Sequence, residues 1–370
     1  DVVVGEEVQY RLTFIVPAST VSDLILEDSL PAGLSCVDAP SITLPAGFAP
    51  GGTFAATNCN AGQATWDFSN AGAIDHVVSG AEADRTVNGV FIARVDNAAA
   101  NVQGATVPVT NIDAQVTYSG GTLMVDLDDA HLRVVEPAVV LTKAISSAPL
   151  TSVDAGDVLT ITVTAQNTSA DTSAYNVQIQ DDLVTPERDL IYSANVNNTA
   201  AAGCVFGAVD TATTDAPIFN ITSIAASTTC IFTFDVTIED SAQPLEILDD
   251  TLHGAWTSLP SNTTALINAG AGPIGTNGAA DGMRNGAVPN VANALNDYEA
   301  QASAQLVMSG PSINKTDLNP GLIPTIGTRK QYSVEINLPE GTTNGVQVND
   351  NLGAGASSFF LENAGSFDVV

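Results

Sequence analysis

Three lysines occur in the 370 residues, Lys143, Lys315 and Lys330, and two of them hold matching places in "VVLTKAIS" and "PSINKTDL". Side chains on a strand alternate with a period of two, so Lys143 shares a face with Val139 and Leu141, and Lys315 shares one with Ile313. An ammonium on an apolar face needs a carboxylate to offset its burial. The same alternation provides one. Asp28 follows Leu24 and Leu26, Asp181 follows Val177 and Ile179, and Asp350 follows Val346 and Val348, each two residues before a leucine. Lysine over aspartate has two readings. One is a buried salt bridge that closes the fold. The other adds a third residue, an Asn or Asp whose carbonyl carbon is held against the lysine nitrogen, so that the two condense into an amide. That chemistry needs a neutral amine, which burial favours, and a buried acid that hydrogen-bonds the carbonyl and shuttles protons. Rigid positioning replaces leaving-group activation with effective concentration. The reaction is a single-turnover self-modification, not enzymatic turnover, and no nucleophile-base pair of a hydrolase is apparent.

The elements that must position these residues read as strands and turns almost throughout. "VQYRLTFIVP", "AQVTYSG", "DVLTITVTAQN" and "CIFTFDVTIED" are rich in Val, Ile, Thr and aromatics, and Gly, Pro, Asn, Ser and Asp cluster between them. An internal repeat organises them. Residues 5–30, "GEEVQYRLTFIVPASTVSDLILEDSL", align without a gap to 327–352, "GTRKQYSVEINLPEGTTNGVQVNDNL", pairing Gly5 with Gly327, Tyr10 with Tyr332 and Asp28 with Asp350. A more divergent copy opens at Gly156. "NIDAQVTY" (111–118) resembles "DYEAQASA" (297–304), and a proline-bearing linker follows each. The expected architecture is all-β, tandem immunoglobulin-like β-sandwich domains in an elongated array. The expected divisions are 1–136, which lacks its first strand, 137–309, a larger sandwich with loop insertions, and 310–370, the opening part of a third. The pattern reads as a window of a longer array.

The motif set resembles bacterial surface and fimbrial β-sandwich domains that form Lys-Asn or Lys-Asp isopeptide crosslinks, including repeat domains of large surface proteins. The resemblance rests on Lys315, "GTRKQY", "PEGTT" (339–343) and "VNDNL" (348–352), with "GEEVQY", "EDSLPAGL" and "NIDAQVTY" in the first domain. It implies promoting carboxylates at Asp28, Asp181 and Asp350, amines at Lys143 and Lys315, and acyl partners at Asn111 and, in the middle domain, Asp297 or Asn296. Strand parity opposes Asn111 and Asp297, since Ile112, Ala114 and Val116, like Tyr298, Ala300 and Ala302, form the apolar faces unless a bulge intervenes. The implied setting is extracellular, on a bacterial cell surface, with neighbouring domains or further copies as partners.

Bulk properties agree. Ten Lys plus Arg against 41 Asp plus Glu give a formal charge of -31, which repels nucleic acid and anionic lipid. No run of 18 apolar residues offers a membrane span. Cys36 with Cys59 and Cys204 with Cys230 form one local pair per domain, favouring two disulfides and an oxidising compartment. His76, His131 and His253 are scattered, against a zinc site. Acidic turns at 126–129, 239–241 and 248–250 have oxygen chemistry suited to Ca2+, although a solvated acidic surface accounts for them equally. The Gly/Asn-rich "GTNGAADGMRNGAVPN" (275–290) in the middle domain is the place to seek an adhesin loop for a glycan or protein receptor.

Overall fold

The structure is a computed structural model, and it describes residues 1–15, 20–44, 49–50, 57–60, 62–68, 74–75, 86–98, 100–108, 114–125, 131–145, 153–183, 189–199, 201–212, 215–260, 267–268, 272–273, 282, 284, 298–323 and 325–350. These residues are all-β. In chain order the strands begin with β1 (Glu7–Ile15), β2 (Thr20–Val21), β3 (Ile25–Ser29), β4 (Leu34–Cys36), β5 (Ser41–Thr43), β6 (Ala49–Pro50) and β7 (Thr57–Asn60). Next come β8 (Gln63–Asp67), β9 (Ile74–Asp75), β10 (Thr86–Val95), β11 (Thr106–Pro108), β12 (Ala114–Tyr118), β13 (Gly121–Val125) and β14 (His131–Arg133). The following set is β15 (Val139–Ile145), β16 (Val158–Asn167), β17 (Ala174–Asp182), β18 (Leu190–Thr199), β19 (Cys204–Asp210), β20 (Ile218–Ile224) and β21 (Thr229–Ile238). Last are β22 (Ile247–Thr257), β23 (Ile267–Asn268), β24 (Gly272–Pro273), β25 (Glu299–Val307), β26 (Ser312–Asp317) and β27 (Tyr332–Asn337).

The strands form because apolar and polar residues alternate, and the alternation sorts them by face. In β16, Leu159, Ile161, Val163 and Ala165 are buried while the threonines between them face outward. Two sandwiches result. The first sets β1-β10-β4 against β13-β12-β3-β8-β7, and the second sets β15-β16-β21-β18 against β19-β20-β17-β22-β25. Their buried side chains form separate clusters. One gathers residues between Val139 and Met308, including Phe219, Phe232 and Phe234, and two others lie between Val2 and Val134 around Trp66, Phe91 and Val4. Each fully buried Val, Leu, Ile or Phe contributes about 1.5–3 kcal/mol relative to exposure.

The two sandwiches share an order. β7-β8-β3-β12-β13 matches β19-β20-β17-β22-β25, and the pair β1-β10 matches β16-β21. Among the described residues, β15 has no counterpart in the first. The repeated glycines explain one shared joint: Gly5, Gly156 and Gly327 all take positive φ, of 89°, 82° and 86°, which glycine adopts without a Cβ penalty. Gly5 N–H donates to Val95 O, and Gly156 N–H donates to Ile238 O. The turn around each is pinned alike, by Val3 N–H to the Glu6 carboxylate, Asp154 N–H to Asp157, and Thr325 N–H to the Thr328 hydroxyl.

Sheet order corrects one alignment. Residues 111–118 and 297–304 resemble each other in sequence, but β12 pairs with β3, whose counterpart β17 pairs with β22. β12 therefore corresponds to β22, and β25 corresponds to β13. Short alternating strands look alike in sequence, and only their neighbours in the sheet tell them apart.

Candidate functional site

β15 lies along β16 with Lys143 opposite Val163, and it also packs against β22 and β25. Its alternation buries Val139, Leu141 and Lys143 together. The Lys143 ammonium donates to Asp181 Oδ1 at 2.5 Å and forms a second ion pair with Asp250 Oδ2. The side chains of Lys143 and Asp181 are 0% exposed, and that of Asp250 is 1%. Asp181 stands between Ile179 and Leu183 on β17, and Asp250 between Leu248 and Leu252 on β22, all four of them buried.

Three ionisable groups thus share a site closed to bulk solvent, with one potential positive charge and two potential negative ones. Burial pushes the Asp181 carboxyl well above the usual carboxylate range; Lys143 pulls it back in part and the Asp250 charge raises it again. Burial beside a second carboxyl therefore favours the protonated form of Asp181. Asp181 Oδ2 and Asp250 Oδ1 have no hydrogen-bond partner among the described residues. The arrangement holds one amine between two carboxyl groups.

The other sequence candidates fall out as follows. Lys315 lies opposite Val334 on the β26–β27 hairpin, and its ammonium donates to both Asp350 oxygens at 2.7 and 2.8 Å, with both side chains well exposed. The Tyr332 ring covers that ammonium at 4.7 Å. Asp28 is buried on β3, and burial lifts its pKa to about 7. Asn111, Asn296 and Asp297 lie outside the described residues, as do the acidic residues 126–129. Asp250 was passed over. The acidic residues 248–250, expected near a strand end or linker, lie within β22, whose face turns Asp250 inward. The signal available was the alternation of Leu248, Asp250 and Leu252, the same pattern that marked Asp181. No group of three or more His, Cys, Asp or Glu side chains suited to a metal exists among the described residues.

Both cysteine pairs are disulfides, with Cα–Cα distances of 5.5 and 5.7 Å. Each ties an outer strand of the five-stranded sheet, β7 or β19, to the facing sheet.

A second buried cluster joins the two sandwiches. Arg284, in the Gly/Asn-rich stretch, has a fully buried side chain. Nη1 donates to Glu136 Oε1 at 2.6 Å and to Asn101 O, and Nη2 donates to Ala98 O at 2.8 Å. Tyr298 Oη donates to the same Glu136 oxygen at 3.3 Å, and burial beside that charge raises the phenol pKa. Ser258 Oγ donates to Val4 O at 2.8 Å. At the opposite end of β22, Thr342 N–H donates to Ala242 O at 3.0 Å and Leu245 N–H to Ser309 O at 3.2 Å. Gly341 is required there, since a Cβ would sit 2.5 Å from Ala242 O.

The fold is a chain of β-sandwiches, and the second buries one lysine between two aspartates. No protein-family model matches it, and no curated protein matches it in sequence. Among solved structures it is similar to the 35 kDa C-terminal fragment of the major pilin GBS80 of Streptococcus agalactiae, at 6% identity and a TM-score of 0.29, over 48% of this chain and 57% of that one. It is similar to the full-length major pilin SpaD of Corynebacterium diphtheriae at 12% identity and a TM-score of 0.30, over 80% of this chain and 61% of that one. The Enterococcus faecalis MSCRAMM ACE matches at 10% identity and a TM-score of 0.25, over 83% and 92%.

Proposed function

We propose that the chain is the structural repeat region of a secreted bacterial cell-surface fibre, stalk or fimbria-like protein, with units at 1–136, 137–309 and 310–370. The middle unit is sealed by an isopeptide bond between Lys143 and Asp250. The carrying observation is the buried Lys143 held between two aspartates. Asp250 takes the acyl role because it lies on β22, across the seam from the lysine strand, while Asp181 supplies the acid. In the step, the Lys143 ammonium first passes a proton to Asp250, and the neutral amine nitrogen then forms a bond to the Asp250 carboxyl carbon while its C–OH bond breaks. Asp181 protonates the departing hydroxyl and recovers a proton from the nitrogen, so one water leaves and no proton is gained or lost overall.

Two disulfides support an oxidising, extracellular setting. The joint around Arg284 supports a stiff array over a flexible string of beads, and it draws Arg284 away from the receptor-binding loop considered for 275–290. The test is the intact mass of the full chain under non-reducing conditions, followed by peptide mapping. A deficit of about 18 Da beyond the disulfides, mapped to Lys143 joined to Asp250 and absent in Asp181→Ala, is expected for one lost water. An unmodified Lys143 would leave a buried ion triad and remove the covalent seal from this reading.

A further inference from the structure

Lys143 and Asp250 meet across a seam that backbone pairing does not set. Among the described residues β15 is hydrogen-bonded to β16 alone, and it rests on β22 through side chains. How near the lysine comes to its aspartate therefore depends on what stands between the two strands. One neighbouring contact there is very close. Leu141 precedes Lys143 by two residues on the buried face of β15, and Gly254 follows Asp250 by four on the buried face of β22. A Cβ on Gly254 would lie 2.7 Å from Leu141 Cδ1 and 3.6 Å from its Cγ. Real side chains do not approach to the shorter distance, so any other residue at 254 pushes on Leu141.

The backbone at this position does not itself require glycine. Gly254 sits in mid-strand, paired with Ile179 on one side and Ala300 on the other, and its φ lies outside the left-handed region. A glycine inside a strand weakens it, and it often marks a place where another segment approaches closely. Here that segment is the lysine strand. Leu141 has little room to turn aside, since it is packed in the core cluster with Val139, Ile161 and Val163. Interiors packed as densely as crystals pass a displacement on to their neighbours. The first sandwich supplies the comparison. Val116 lies opposite Leu26 on β12 as Gly254 lies opposite Ile179 on β22. Four residues before Val116 the sequence has Ile112, where the second sandwich has Asp250. Where the aspartate is replaced, the glycine is replaced as well.

We propose that Gly254 is a positioning residue for the Lys143–Asp250 amide. By carrying no side chain it lets Leu141, and with it the lysine strand, settle against β22 until the amine meets the carboxyl carbon. The inference rests on the amide reading of the site and adds to it a residue outside the three reacting groups. One methyl group added at 254 shifts β15 outward and leaves Lys143, Asp181 and Asp250 chemically unchanged. A misplacement of about 1 Å is enough to slow such a reaction on the order of a hundredfold.

The test follows amide formation in the full chain by intact mass, in samples taken over time from cell-free synthesis under oxidising conditions and denatured in acid. Wild type should lose about 18 Da beyond the disulfides, and Gly254→Ala should do so about tenfold more slowly or worse. Removing the other side of the contact should rescue it: Gly254→Ala combined with Leu141→Ala should react within about threefold of the wild-type rate. Leu141→Ala alone leaves a cavity and lowers the urea midpoint, yet it should react near the wild-type rate. A merely structural glycine would make rate follow stability through the whole set. Mapping the Cys204–Cys230 disulfide in the same digests shows that each variant has folded. Leu141→Phe presses on the contact with Gly254 in place; it should slow the reaction as well, and it decides if Gly254→Ala does not fold. Either variant folded and reacting at the wild-type rate, or Gly254→Ala slowed and not rescued by Leu141→Ala, overturns the proposal and leaves the amide standing. A wild type that keeps its full mass overturns the amide and the role of Gly254 together.

Discussion

Asp28 and Asp181 occupy the same strand position in their sandwiches and differ in company. Asp181 has Lys143 within hydrogen-bond distance, and burial raises Asp28 to about 7. An unfolded aspartate titrates near 4, so between about pH 4 and pH 7 the native state keeps a proton that the unfolded chain has released. The contribution to stability is whole below about pH 4 and is lost as pH rises through 7. Asp28→Asn removes that linkage. Urea unfolding of both proteins across this window should show the wild type losing on the order of 4 kcal/mol relative to the variant. Asp181 adds a slope of the same sign to both and cancels in the difference. Parallel curves would mean that Asp28 is not buried in solution.

At the scale of elements, the disulfides tie layers that otherwise meet through apolar packing and, in the second sandwich, through the Lys143 ion pairs. Cys204 on β19 and Cys230 on β21 span 26 residues, a loop whose closure in the unfolded chain is worth roughly 3–4 kcal/mol in the chain-entropy model. The double variant Cys204→Ser/Cys230→Ser should unfold at correspondingly lower denaturant with its strand content intact at pH 7. Circular dichroism with a urea titration reads both. An unchanged midpoint would imply that the lysine seal already holds β19–β21 together.

For the whole molecule, one buried guanidinium bridges the two sandwiches, alongside contacts of Arg133 and Gln103 with Asp171 and of Ser258 with Val4. Arg284→Ala removes the guanidinium donor from Glu136, which keeps Tyr298, and from the carbonyls of Ala98 and Asn101. Removing one partner of a buried pair costs about 3–5 kcal/mol. The loss should fall on the joint, since each sandwich has its own apolar cluster. Small-angle scattering should report a broader distribution of interdomain distances for the variant, with the melting of the second sandwich little changed. An unaltered scattering profile would show that Ser258 and Tyr298 suffice to fix the angle.

The sequence by itself determined the β class, the repeat, the disulfide partners and the lysine–aspartate pairs at 143/181 and 315/350, because each is written in local alternation or in matched spacing. It did not determine the residue across from the lysine. Asp250 is separated from Lys143 by more than a hundred residues, and the strand that carries it resembles every other short alternating strand. Which of β22 and β25 adjoins β17 is decided by packing two sheets around one core. Arg284 was hidden for the same reason. A lone arginine in a Gly/Asn-rich stretch has no local signature, and only the docking of two sandwiches surrounds it with carbonyls and a carboxylate. Alternation records which side of a strand is buried; the identity of the neighbour on that side belongs to the tertiary structure.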